Sequence, residues 1–249
     1  MTSILEVKDL NVARGNKAVI RDVSMRIVAG QTTAVLGPNG AGKSTLVLAL
    51  AGVLPVTSGS ILLDGTDVTG RRPEHVRRLG VAAIPEGHHI LTKLTVEDNL
   101  EAAGSMHDKA GVAQAAERAF AVFPELKDIR MQIAGTLSGG QRQMVAVAQA
   151  LMSQPKFILA DEMSLGLAPL IVKRLMAVIG QLAADGIGIL LIEQFMHIAL
   201  GMSQHAYVLN RGRVLFDGPP ADIEADPSIV HEAYLAGEFE RSEERKGAP

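Results

Sequence analysis

Gly37-Pro38-Asn39-Gly40-Ala41-Gly42-Lys43-Ser44-Thr45 is the stretch from which the rest of this 249-residue chain is read. Gly, four residues, then Gly-Lys-Ser/Thr is the spacing of a phosphate-binding loop. Its glycines accept backbone angles that side chains forbid, so consecutive N–H groups can turn inward around an anion. Lys43 places a cation toward the outer phosphates, and the Ser44 hydroxyl is a hard oxygen ligand suited to Mg2+. The flanks agree. Thr32-Thr33-Ala34-Val35-Leu36 reads as a buried strand, and Ser44 to Leu50 as a helix stopped by Gly52. The loop therefore opens a helix N-terminus, where free N–H groups and the helix dipole favour phosphate. Nucleotide binding is the expectation.

Composition narrows the class. Hydrophobic residues make up 47% of the chain and aromatics 3%, so the core is built from aliphatic residues and Met. A net charge of −3 implies no general attraction to nucleic acid or anionic lipid. The absence of Cys excludes disulfides, thiolate metal sites and a cysteine nucleophile. Met1 to Glu6 lacks the basic-then-apolar pattern of a signal peptide. The best apolar run, Ile187 to Ile192, is strand-sized, so a membrane role is expected to go through a partner.

Ile4 to Val7 reads as a strand, and Val23, Met25 and Ile27 alternate as a half-buried one. Ser60 to Val68 reads as a hairpin around Asp64-Gly65. These pieces predict a small antiparallel sheet beside the phosphate-loop core. Glu74 to Leu79 is a short helix, and Val81 to Ile84 a strand stopped by Pro85. From Gly87 to Gly135 strand signals fade. Thr95 caps one helix with Asp98 three residues on, and a second spans Val112 to Phe123, so this section is a helical insertion. Leu137-Ser138-Gly139-Gly140-Gln141 opens a strong helix with Met144, Val147, Ala148 and Leu151 on one face. Phe157 to Ala160 is an apolar strand closing on Asp161-Glu162, Leu170 to Ala184 a helix, and Ile187 to Ile192 a strand ending at Glu193-Gln194. A hairpin turns at Asn210-Arg211-Gly212, and Asp226-Pro227 starts a last helix. Arg241 to Pro249 is a charged tail expected to be disordered. Strands alternating with helices imply an α/β fold with a parallel sheet.

Four stretches together resemble the ATP-binding subunits of ABC transporters: Gly37 to Thr45, the signature Leu137 to Gln141, the acidic strand end Phe157 to Glu162, and a switch position at Gln194. The resemblance covers nearly the whole chain. It implies a P-loop NTPase core of the ABC type, with an N-terminal antiparallel β subdomain and an inserted helical subdomain at about 87–141, in one domain spanning 1–240. Ile84 to Gly87 with Leu94 to Leu100, Ser164 to Pro169, and Glu232 to Gly237 are most similar to the subunits of branched-chain amino acid importers. Relatives that import urea or other amides also look similar.

The resemblance implies ATP and Mg2+ as cofactors. Arg14 would face adenine where an aromatic residue is usual, its planar guanidinium able to stack. Gly37, Pro38, Asn39, Gly40, Ala41, Gly42, Lys43, Ser44 and Thr45 would hold the phosphates. Ser44, Asp161 and Glu86, the last where Gln is common, would serve the metal. Glu162 would orient or deprotonate the attacking water. Gln194, in place of a switch His, can donate a hydrogen bond but cannot take up a proton. Ser138, Gly139, Gly140 and Gln141 form a second glycine-rich helix start, which the resemblance assigns to ATP on a partner chain. Ala168 departs from the Asp common there. His88, His89 and His197 lack companions at metal-ligand spacing and read as surface or partner contacts.

The leading expectation is an ATP-hydrolysing subunit on the cytoplasmic face of the (inner) cell membrane. It would work with integral membrane permease subunits, a second ATPase subunit in a homo- or heterodimer, and indirectly an extracytoplasmic solute-binding protein, without nucleic acid. The alternatives are a soluble ABC ATPase, a lipid exporter, a urea or amide importer, and a weakly hydrolysing nucleotide sensor. Glu162 argues against the sensor.

Overall fold

The computed structural model describes residues 2–87, 90–193, 195–231, 233 and 234. The expectations for His88, His89, Gln194, most of the Glu232 to Gly237 stretch and the 241–249 tail lie outside these residues.

Two sheets carry the architecture. β1 (Ile4–Arg14), β2 (Lys17–Val28), β4 (Ser58–Leu63) and β5 (Thr66–Asp67) form an antiparallel sheet in the order β2-β1-β4-β5. β1 and β2 are longer than their sequence signals. Asp9 and Asp22 take left-handed backbone angles, and the pairing shifts register between Val7 and Val12, which hides the alternation. The Asn11 side chain fills the gap, donating to the Asp9 carbonyl (2.9 Å) and accepting from the Asp22 N–H (3.1 Å).

The second sheet holds β3 (Thr32–Leu36), β6 (Val81–Ile84), β7 (Phe157–Asp161), β8 (Gly188–Ile192), β9 (His205–Asn210) and β10 (Arg213–Gly218), in the order β10-β9-β3-β8-β7-β6. Its strands are parallel except β10, which returns antiparallel beside β9. β3, β7 and β8 are buried along their whole length, which explains their unbroken apolar runs. The register aligns the strand ends. Val35 pairs Ile192, Ile192 pairs Asp161, and Ala160 pairs Ile84. The C-terminal ends of four parallel strands therefore finish in one row, the edge at which open α/β sheets bind ligands.

One face of this sheet packs on α1 (Lys43–Leu50) and the antiparallel sheet, with Leu46, Leu50, Leu159 and Leu190 in a shared core. The other face packs on α6 (Gly139–Leu151) and α7 (Pro169–Ala184). α6 is buried well beyond the predicted single face, since Val145, Ala146 and Ala150 are also inside. It is covered by α3 (Val96–Ala103), α4 (Lys109–Val122) and α5 (Pro124–Asp128), which fill the helical stretch between β6 and α6. Thr95 and Asp98 form the expected capping box, with the Thr95 Oγ1 accepting from the Asp98 N–H at 3.0 Å and the Asp98 carboxylate accepting from the Thr95 N–H at 3.1 Å. α4 begins at Lys109 rather than Val112 because the Asp108 carboxylate accepts from the Gly111 N–H at 2.8 Å. The short helix α2 (Pro73–Arg78) matches its sequence signal, whereas α5, α8 (Met196–Met202) and α9 (Pro220–Ala225) have no clear one. Asp226 accepts from the Ser228 N–H (3.1 Å) at the start of the last turn of structure, as Asp226-Pro227 suggested.

Asn99 is the polar hub of the helical section. It is fully buried. Its carboxamide accepts from the Leu91 N–H (2.7 Å), donates to the carbonyls of Leu91 (3.0 Å) and Thr95 (2.8 Å), and accepts from the Gln149 amide (3.1 Å). It thus ties the loop after β6 to α3 and α6. Replacing it with Leu strands several buried polar groups, each costing about 1–3 kcal/mol. Asn99→Leu should lower the melting temperature by roughly 5–10 °C, at about 2–4 °C per kcal/mol for a domain of this size, measured by thermal denaturation.

Candidate functional site

A cleft of about 610 Å³ opens at the row of strand ends. Asn39, Gly40, Gly42, Lys43, Ser44 and Thr45 form its floor. Arg14, Glu86 and Glu162 join them on its walls. Residues from the β1–β2 turn, the end of β3, the loop after β6 and the end of β7 thus meet, although they are far apart in sequence.

The loop geometry follows from its glycines. Gly37 sits at φ 145°, and a Cβ there would lie 2.0 Å from the Leu209 carbonyl oxygen, so β9 and the loop can approach only with no side chain between them. Gly42, at φ 110°, caps α1 without a side chain, leaving the helix N–H groups without a covalent competitor. Lys43 is the first residue of α1 and 6% exposed. Its ammonium donates to the carbonyls of Gly37 (2.9 Å) and Pro38 (3.2 Å), and the Glu162 carboxylate lies 4.0 Å away. Burial pushes its pKa down, while Glu162, Asp161 and Glu86 hold it up.

Asp161 closes β7 and is 2% exposed. Burial pushes its carboxyl above the usual range; the Ser44 hydroxyl opposes this, while Glu162 and Glu86 reinforce it and Lys43 opposes it. Its Oδ1 is buried without a hydrogen-bond partner among the described residues. An acid in this position suits a hard cation, and Ser44 and Glu86 supply further oxygen donors beside it. Among the described residues no three His, Cys, Asp or Glu side chains converge to hold a metal by themselves. That fits Mg2+, which binds through one or two carboxylates together with phosphate oxygens and water.

Glu162 follows directly. It takes a left-handed backbone angle, φ 48°, and its N–H donates to the Ile192 carbonyl at 2.9 Å. A non-glycine residue held in this region is a local strain of the kind found at functional sites. The turn lifts its carboxylate off the strand into the cleft, beside Lys43.

The second glycine-rich helix start does not reach this cleft. Ser138, Gly139, Gly140 and Gln141 are absent from its lining. Ser138 caps α6, its hydroxyl accepting from the Gln141 N–H (3.3 Å) while the Gln141 side chain accepts from the Ser138 N–H (2.9 Å). Gly140 has a packing reason that the motif does not reveal: a Cβ there would lie 2.7 Å from the Ile171 Cγ2 on α7. Sequence reasoning also missed Val19 and Leu165, which line the cleft, and Glu193, which is buried beside it. An acid ending an apolar strand was the available signal for Glu193.

Fold and site together define a P-loop nucleotide-binding protein with paired acids at the neighbouring strand end. Residues 20–164 match the family profile described as ABC transporter. The chain belongs to that family of ATPases. It is 40% identical over 223 residues to the high-affinity branched-chain amino acid transport ATP-binding protein BraG of Pseudomonas aeruginosa, covering 90% of this chain and 95% of that one. It is 38% identical to the probable branched-chain amino acid transport ATP-binding protein LivF of Archaeoglobus fulgidus, covering 93% and 96%. Among solved structures it superposes on a nucleotide-free ATP-binding cassette from an ABC transporter with a TM-score of 0.83 and 27% identity, over 92% and 97% of the two chains. ABC ATPases dimerise and work with membrane permease components. No helix among the described residues is long and apolar enough to cross a membrane.

Asp161 is held ionisable against its solvation preference, which gives a test. An acid whose folded pKa is raised costs stability once pH exceeds its unfolded value, and the cost grows as pH rises toward and through the folded pKa. Asp161→Asn should therefore raise the melting temperature of the nucleotide-free protein at neutral pH, with the difference shrinking toward pH 4. The same variant should lose Mg2+-dependent ATP hydrolysis. A calorimetric melt across pH checks the first outcome and a steady-state phosphate-release assay the second.

Proposed function

We propose that this chain is the ATP-hydrolysing subunit of an importer for branched-chain or related amino acids, working at the cytoplasmic face of the cell membrane in a homo- or heterodimer. The observation that carries the catalytic part is the convergence of Lys43, Glu162, Asp161 and Glu86 at the mouth of the phosphate loop. The loop residues 37–45 bind the phosphates, Lys43 exchanging its carbonyl partners for phosphate oxygens. Ser44, Asp161 and Glu86 would hold Mg2+, which supplies charge compensation on the phosphates. Arg14 faces the base. Glu162 orients or deprotonates the attacking water, for which its lifted position and the neighbouring cation suit it. Gln194 donates to the outer phosphate. Ser138 to Gln141 serve the ATP of the partner subunit: their side chains satisfy one another, while the free N–H groups of the α6 N-terminus and the Ser138 O–H remain available as donors.

The helical insertion, residues 87–141 within one domain spanning 1–240, meets the permease. A groove of about 420 Å³ supports this reading. It runs between α1, α2, β6, α3 and α6, and Pro85 lines it while Glu86, the next residue, lines the ATP cleft. Arg77 lies in the groove wall, its guanidinium donating to the Gln149 carbonyl at 2.9 Å, with Nε buried and unpartnered among the described residues. The amino acid substrate class rests on the similarity to BraG and LivF.

Glu162→Gln should reduce steady-state ATP hydrolysis by roughly 100-fold or more, the range for losing a general base, while ATP binding followed by equilibrium dialysis persists. Unchanged hydrolysis would overturn the assignment. For the substrate, the chain reconstituted in proteoliposomes with its permeases should hydrolyse ATP faster when a solute-binding protein loaded with leucine, isoleucine or valine is supplied. Stimulation by a lipid cargo, or by urea alone, would replace the import reading with an alternative. Arg77→Glu should abolish co-purification with the permeases while leaving the hydrolysis rate of the isolated chain within about twofold, as for a side chain outside the cleft that holds the reacting atoms.

A further inference from the structure

Glu193 is 1% exposed, yet neither phosphate binding nor water activation uses it. It follows the last residue of β8, and Ile192, just before it, accepts the Glu162 N–H. Its carboxylate is gripped by the segment immediately after Glu162. The Ser164 hydroxyl donates to Oε2. The backbone N–H groups of Ser164 and Met163 lie near the same carboxyl and favour its charged form. Its Oε1 is buried without a partner among the described residues. Burial pushes the group's pKa upward, the Ser164 and Met163 donors work the other way, and the nearby charge of Glu162 adds to the upward push.

A buried carboxyl is expensive to keep unless its partners hold it in place. Its position explains it. Residues 162 to 168 leave the sheet as a turn with weak internal bonding: Leu165 N–H to the Glu162 carbonyl is 3.5 Å and Leu167 N–H to the Ser164 carbonyl 3.2 Å. Glu162 sits in the left-handed region at the head of that turn. The Glu162 N–H bond to the Ile192 carbonyl and the Ser164 hydroxyl bond to Glu193 tie the head of that turn to the end of β8.

We infer that Glu193 is a positioning residue for ATP hydrolysis, clamping Ser164 so that Glu162 keeps its lifted geometry. The inference rests on Glu162 being the group that handles the attacking water. Loss of the clamp leaves the phosphate loop intact, so it acts on turnover and not on nucleotide affinity. A displacement of about an ångström at a group that must line up a nucleophile is enough to cost up to roughly 100-fold in rate.

The test uses the purified full chain, with steady-state ATPase kinetics, ATP binding by equilibrium dialysis, and thermal melting on the same preparations. Glu193→Ala should lower kcat by roughly 10- to 100-fold while KM and the ATP dissociation constant stay within about twofold. Glu193→Gln, which keeps an acceptor for the Ser164 hydroxyl, should recover most of the lost rate. Ser164→Ala should lower kcat by a smaller factor, and the Glu193→Ala/Ser164→Ala double variant should be no slower than Glu193→Ala alone, since both remove one clamp. Rates that fall multiplicatively in the double variant, kcat unchanged in Glu193→Ala, or ATP affinity falling in step with kcat would each overturn the inference. If Glu193→Ala fails to fold, the cycle is run with Glu193→Met, which keeps the volume but cannot accept from Ser164, together with Ser164→Ala and their combination, and additive losses again overturn it. Glu162→Gln is measured alongside: full activity there refutes the role of Glu162, whereas a silent Glu193 with an inactive Glu162→Gln refutes only the clamp.

Discussion

Everything in this structure is arranged around a cation that has been taken out of water. The Lys43 ammonium is buried at the start of α1 and hydrogen-bonds to carbonyls of its own loop, with the Glu162 carboxylate at 4.0 Å. Carbonyl oxygens offset the lost hydration only in part, so its pKa is depressed by burial. The lysine therefore lacks close hydrogen-bonding anionic oxygens in place of its lost water, and a polyphosphate supplies them. The loop, the strand that delivers it and the helix that receives it all serve to hold that one under-solvated charge still.

The surrounding acids present the opposite problem. Asp161, Glu162 and Glu86 act on one another as like charges, and burial further penalises Asp161. Three carboxyl groups and one ammonium in a partly dry cleft leave an excess of negative charge on the strand-end side. A divalent cation would offset it, which is a physical reason for nucleotide and metal to arrive as one complex.

Most of this was legible in the sequence because local chemistry and global fold agree there. The loop spacing, the apolar strands β3, β7 and β8, and the acids closing β7 are all read directly, since strands buried on both faces show unbroken apolar runs. The capping box at Thr95 and Asp98 was visible for the same reason. What escaped was set by tertiary contact. β1 and β2 were underestimated because register shifts at Asp9 and Asp22 scramble the period of two. The 7-residue α8 and 6-residue α9 carry too few turns for a periodic signal. Gly140 looked like a phosphate-binding glycine, and its packing against Ile171 is invisible without the neighbouring helix. Glu193 looked like a strand-end acid, and only the fold reveals that the Ser164 hydroxyl closes on it.

Pro85 and Glu86 occupy consecutive positions, one in the groove and one in the cleft. A single peptide link thus separates two binding events. Thermodynamics then imposes a symmetry on the two events. Whatever factor nucleotide applies to the affinity of the groove for its occupant, that occupant must apply the same factor to the affinity of the cleft for nucleotide. An occupant of the groove that responds to nucleotide would therefore also regulate how tightly ATP is held.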